Sequence, residues 1–156
     1  MKKNYISNSS ESTRMFKSDW MEGLSKIHFA VPLFIFVPAI VLFGVLSFRN
    51  DITVAGFFGY FAIGLLVWTI TEYLLHRFIF HYYPTSEWGK RIHFIFHGVH
   101  HDYPRDAKRL VMPPSASIPL ATLFYFLFSI ILKDKASLFA FFPGFLLGYL
   151  TYDMMH

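Results

Sequence analysis

Between Phe29 and Phe48 the sequence reads FAVPLFIFVPAIVLFGVLSF, twenty residues without a charge, and three more apolar blocks follow it. About 20 such residues, wound as a helix, cross the roughly 30 Å hydrocarbon core of a bilayer. Pro32 and Pro38 are expected to kink this first span. A polar turn, Arg49-Asn50-Asp51, separates it from a second span running from about Val54 to Leu75, with Glu72 near its end. The third covers about Ser117 to Leu132, and the fourth about Leu138 to Tyr152, with a break expected at Pro143-Gly144. The last two are short for full crossings, so they also suit a re-entrant hairpin. The sequence therefore predicts an all-α integral membrane protein of about four transmembrane helices, or two plus a shorter hairpin.

Charged residues make up 15% of the chain, well below the roughly 25% of a soluble protein. Cysteine is absent, which excludes disulfides, thiolate catalysis and thiolate metal sites. Any bound metal must use imidazole and carboxylate. The net charge of +4 does not point to nucleic acid, because Lys and Arg lie beside apolar blocks, where they set topology and touch anionic lipid. Residues 1–27 are polar and lack the apolar core of a signal peptide. They are expected to persist as a mobile cytoplasmic arm, with a membrane domain over 28–156.

Basic residues divide unevenly between the two sides of such a protein. The arm holds Lys2, Lys3, Arg14, Lys17 and Lys26, and the segment between spans two and three holds Arg77, Lys90, Arg91, Arg105, Lys108 and Arg109. Only Arg49, Lys133 and Lys135 fall on the other side. The positive-inside rule then places both termini and the central segment in the cytoplasm. The same assignment brings every histidine, from His28 to His156, to the cytoplasmic face.

Those histidines are clustered. His76-x4-His81 lies in EYLLHRFIFH, and His97-x2-His100-His101 in HGVHH. On a helix, His93, His97, His100 and His101 share an arc of about 100° and can converge on one site. His76 and His81 stand about 140° apart on a regular helix. A shared target would require local distortion of the helix; two neighbouring metal ions require less, and that reading is favoured. Neutral imidazole suits iron, copper, nickel and zinc, and such a site with open positions can bind dioxygen. Metal-bound histidine usually donates its second N–H to a carboxylate or carbonyl. Glu72, four residues before His76, and Asp153, three before His156, are candidates; the alternative is a helix-end acid paired with Arg77 or another neighbour. His28 reads as an interfacial polar group.

With these motifs in view, the chain resembles the fatty acid hydroxylase and sterol desaturase family of membrane non-haem di-metal oxygenases, most closely its fatty acid 2-hydroxylases. The resemblance runs from about Glu72 to His156 and rests on EYLLHRFIFH, HGVHHDYPRDAKRLVMPP and GYLTYDMMH. It implies that His76, His81, His97, His100, His101 and His156 are metal ligands of a di-iron site at the cytoplasmic membrane face, with zinc an acceptable substitute. His93 receives no ligand role. It also implies dioxygen as oxidant and a separate electron donor, either cytochrome b5-like or a ferredoxin and its reductase. The implied reaction is hydroxylation of a fatty acyl chain at C2, free or sphingolipid-linked. Leu110 to Pro114 would roof the lipid's access route, with Met112 among the contacts. Arg105, Lys108 and Arg109 would hold a polar or anionic headgroup.

The family pattern continues past the position of His156 with another histidine and a further HxxHH box. The sequence is therefore expected to be a carboxy-terminally truncated hydroxylase, incomplete as a metal site and inactive alone. Two other readings remain open: a sterol or carotenoid oxidase of the same family, and a non-catalytic membrane protein that binds or transports metal.

Overall fold

The computed structural model describes residues 14–80, 82, 84–93, 106 and 108–155, and every regular element among them is helical. A short α1 (Asp19–Leu24) precedes α2 (Val31–Arg49) and α3 (Val54–Leu75). One π-helical turn, His76–Phe80, extends α3, and α4 follows at Glu87–His93. The last two helices are α5 (Pro114–Ile131) and α6 (Lys135–Met155). Four of these, α2, α3, α5 and α6, are long and apolar enough to cross a membrane. At 18 and 21 residues, α5 and α6 are full-length candidates, so the shorter-hairpin alternative falls away.

The prolines do less than expected. Pro32 occupies the first turn of α2, where its missing N–H removes a donor that has no helical partner anyway. Pro143 lies inside α6, which continues through it to Met155. No break forms at Pro143-Gly144, because packing on both sides holds the helix there. Between α2 and α3, Asp51 takes a left-handed φ of 64°, a conformation Asp tolerates. Asn50 Nδ2 caps the carbonyl of Leu46 at 2.8 Å, and Thr53 Oγ1 accepts from the N–H of Gly56 at 3.1 Å to start α3.

The helix α6 is the core, with 14 of its 21 residues buried. It meets α3 backbone to backbone through glycines. A Cβ placed on Gly64 would strike the Phe141 carbonyl, and one on Gly144 would strike that of Phe61. Gly148 makes room for the Trp68 ring. Such close approach between small residues is how helices pack where lipid removes the hydrophobic drive to associate. Aromatic edges fill the remainder: Trp68 meets Phe145 and Tyr149 with ring centres 5.2 and 5.4 Å apart. Phe36 of α2 meets Tyr149 at 5.0 Å, and Phe128 of α5 meets Phe145 at 4.9 Å. Phe34, Phe58, Leu123 and Ile130 point outward, as residues facing lipid do.

Candidate metal and lipid site

The connectivity fixes which helix ends share a face. The arm leads into the start of α2, α3 returns antiparallel after a tight turn, and α5 and α6 form a second up-and-down pair. Hydrogen bonds tie these ends together. The Ile27 N–H donates to the Lys108 carbonyl at 3.0 Å, Ser115 Oγ donates to the Leu24 carbonyl at 3.2 Å, and the Met112 N–H donates to Asp153 Oδ1 at 2.9 Å. The arm, the 106–113 loop, the start of α5 and the end of α6 therefore converge at one end of the bundle. The end of α3, with His76, lies at that same end.

At His76 the winding changes from α to π. A π turn closes i→i+5 hydrogen bonds, which overfills the turn and brings residues five apart closer in azimuth than on an α-helix. The helix is therefore locally distorted from His76 onward. Single π turns inside α-helices recur at functional sites. His76 itself is half-buried. His81, His97, His100, His101, Arg105 and His156 lie outside the described residues, so the ligand set is described only at His76. His93 ends α4. Glu72 sits half-buried on the last turn of α3. Arg77 turns to aromatic neighbours, donating to the Tyr73 hydroxyl and lying 5.6 Å from the centre of the Phe78 ring.

Asp153 is buried and fully engaged, accepting from Met112 N–H and from the Tyr149 hydroxyl at 3.2 Å. Its carboxylate thus joins the 106–113 loop to the last turn of α6, immediately before His156. Met112 belongs to this contact through its backbone. Below it, α3, α5 and α6 leave a cavity of about 10 Å³ lined by Trp68, Ser117, Ala121, Phe124 and Tyr149, room for about one water molecule. Ser117 Oγ is buried there beside Tyr149, with no partner at hydrogen-bond geometry among the described residues.

Lys108 is exposed, as a headgroup contact requires. Arg109 is not. The residue is 4% exposed, and its guanidinium is held by Glu22 Oε1 at 2.6 Å, Asp106 Oδ2 at 3.3 Å and Ser25 Oγ at 3.0 Å. The expectation that Arg109 binds an external headgroup gives way to an internal role. Two carboxylates already satisfy the cation, and a buried pair of this kind cannot be opened cheaply. The same contacts dock residues 14–27 of the expected mobile arm, while residues 1–13 lie outside the described residues. Glu22 is the residue the sequence concealed. Burial pushes its carboxyl up, but hydrogen bonds from Lys26 and from the Phe16 and Met15 N–H groups, with Arg109 alongside, pull it down to about 2 from 4.5. In the sequence Glu22 shows only an i,i+4 pairing with Lys26.

Comparison with known proteins adds a family to this geometry. A model of the fatty acid hydroxylase family matches residues 61–156. A fatty acid 2-hydroxylase of Rattus norvegicus is 37% identical over 92% of the chain, which spans 44% of that relative. A dihydroceramide fatty acyl 2-hydroxylase, FAH2 of Arabidopsis thaliana, is 36% identical over 94% of the chain and 61% of its own length. A solved structure of full-length scs7p, in which only the hydroxylase domain is visible, superposes with a TM-score of 0.81 at 36% identity, covering 88% of this chain and 53% of that one. The chain thus spans roughly half the length of the relatives it matches.

Proposed function

Because the chain belongs to the fatty acid hydroxylase family, we propose that it serves in a membrane enzyme that hydroxylates a lipid acyl chain at C2. The observation that carries this reading is the extent of the family match, since residues 61–156 contain both histidine clusters and His156. The relatives' names, fatty acid 2-hydroxylase and dihydroceramide fatty acyl 2-hydroxylase, support C2 as the carbon and a free or sphingolipid-linked acyl chain as the substrate.

The reaction converts an acyl CH2 to CHOH. It consumes one dioxygen, two electrons and two protons and releases one water, with the electrons arriving from a separate donor protein. The residue types fit iron: six imidazoles and no thiolate suit a metal that keeps open coordination positions, and of the six His76 lies among the described residues. His76, His81, His97, His100, His101 and His156 would hold two iron ions, whose part is to activate dioxygen towards an unactivated C–H bond.

This chain's own residues do the positioning. Glu72, four residues before His76, would orient an imidazole by accepting its second N–H. Asp153 acts on the lipid side instead. By holding Met112 N–H it fixes the Leu110–Pro114 strip over the end of α6, so that a lipid tail meets the site from the bilayer and water is kept from it. Exposed Lys108, with Arg105, supplies positive charge for the headgroup. The side bearing this end is the cytoplasm, because it collects eleven of the fourteen basic residues, and the Ile27–Lys108 hydrogen bond supports grouping arm and central segment on one side.

Metal analysis of purified protein tests the reading. We expect iron in protein made with iron present, about two ions per chain where the ligand set is complete, and a clear loss in His76→Ala with helicity unchanged. Equal iron in His76→Ala and its parent would sink the assignment.

A further inference from the structure

The docked arm presents an outer face that the hydroxylase reading leaves without a role. On α1, Trp20, Leu24 and Met21 fall within an arc of about 100°, with Glu22 on the opposite side of the helix. Their exposure is 75%, 43% and 45%. The inner side is firmly held, since Glu22 and Ser25 grip Arg109 and the Leu24 carbonyl accepts from Ser115 in the first turn of α5. Three residues of chain separate Ile27, bonded to Lys108, from the start of α2 at Val31. The segment is thus pinned at the level where two membrane spans begin, which is the headgroup layer. Its apolar face continues in sequence into Phe29 and Phe34, both exposed, the second on a span that must face lipid. Lys17 and Lys108 are exposed on the same segments and Asp19 is paired with Arg14, so the unpaired rim charge is positive.

We propose that α1 is an interfacial anchor. Trp20, Met21 and Leu24 rest in the headgroup layer of an anionic bilayer leaflet, while Glu22 and Ser25 on the other side clasp Arg109 and hold the 106–113 loop at the membrane surface. Tryptophan at this depth keeps its ring in the apolar margin and its N–H in the polar layer, and a positive rim adds attraction to anionic lipid. The proposal rests on the membrane topology and holds whatever the substrate is.

The absence of cysteine allows a direct test in the full chain. Single-cysteine variants Trp20→Cys, Leu24→Cys and Asp19→Cys are labelled with an environment-sensitive fluorophore and placed in lipid nanodiscs, either phosphatidylcholine alone or mixed with phosphatidylglycerol. The expected result is blue-shifted emission at positions 20 and 24, quenching there by a nitroxide near the lipid headgroup, and stronger quenching with phosphatidylglycerol that salt weakens. Asp19 lies off the apolar arc, so its label should be quenched by aqueous iodide instead. Iodide access at 20 and 24 equal to that at 19, in both lipids, would overturn the proposal. Protection seen in native membranes but not in lipid-only discs would overturn it equally, by assigning the face to a protein partner. Should a labelled variant fail to fold, the emission of the parent minus that of Trp20→Phe reads the same environment, blue if the proposal holds and red if it does not.

Discussion

Glu22 and Arg109 show at the scale of single residues how far apart in sequence a stabilising pair can lie. Nothing local marks either as a partner of the other. Arg109 sits in a basic loop and reads as a headgroup contact, while Glu22 reads as an arm acid near Lys26. Only the chain's return path brings them within 2.6 Å, and no spacing rule reaches across 87 positions. The titration has a definite sign. Because folding lowers the Glu22 pKa from 4.5 to about 2, its contribution is present above 4.5 and is lost as pH falls through about 2. The magnitude is on the order of 3 kcal/mol. Thermal unfolding in detergent should therefore weaken across that interval, and Glu22→Gln should flatten this part of the profile. An unchanged profile in Glu22→Gln would remove the pair from the account. Arg109→Ala should cost more, about 3–5 kcal/mol, because it leaves buried acids uncompensated. Asp153 carries a separate expectation: Asp153→Ala should speed hydrogen exchange at the Met112 amide, which loses its acceptor.

At the scale of the element, the spans were legible because length and the near absence of charge decide what a membrane will accept, and observed ends fall within about three residues of those expected. What escaped was context. Pro143-Gly144 looks like a break, yet Gly144 is where α6 meets the Phe61 backbone, and that contact holds the helix together. The π turn at His76 was not foreseen: the 140° separation of His76 and His81 favoured two neighbouring metal ions over distortion of the helix, yet the winding changes there. The glycines offer a paired test. Gly144→Ala pushes a methyl into a carbonyl and should cost about 1–3 kcal/mol as overpacking. Gly59→Ala, on α3 but with open space around it, should be neutral or add up to about 1 kcal/mol through helix propensity. Unfolding of the two variants under identical detergent conditions compares them directly, and equal stability would contradict the close packing of α3 on α6.

For the whole molecule, the convergence of helix ends groups the arm and the central segment at one end of the bundle, the grouping that the charge count uses. The basic residues divide eleven to three from the sequence alone, and the structure ties the arm to the 106–113 loop and that loop to the end of α6. The histidine clusters were legible as residue types and spacings, since imidazoles without cysteine leave few chemistries. Their three-dimensional arrangement was not, because it depends on where helix ends meet and not on local pattern. The central claim is that these histidines serve lipid acyl hydroxylation. It is tested most directly by deleting the gene from its host and measuring 2-hydroxy acyl chains in the total lipid extract by mass spectrometry, with the parent gene and His76→Ala returned separately. The account predicts that 2-hydroxy acyl lipids fall on deletion, recover with the parent gene and stay low with His76→Ala. Lipids unchanged by deletion, or restored equally by His76→Ala, would contradict it.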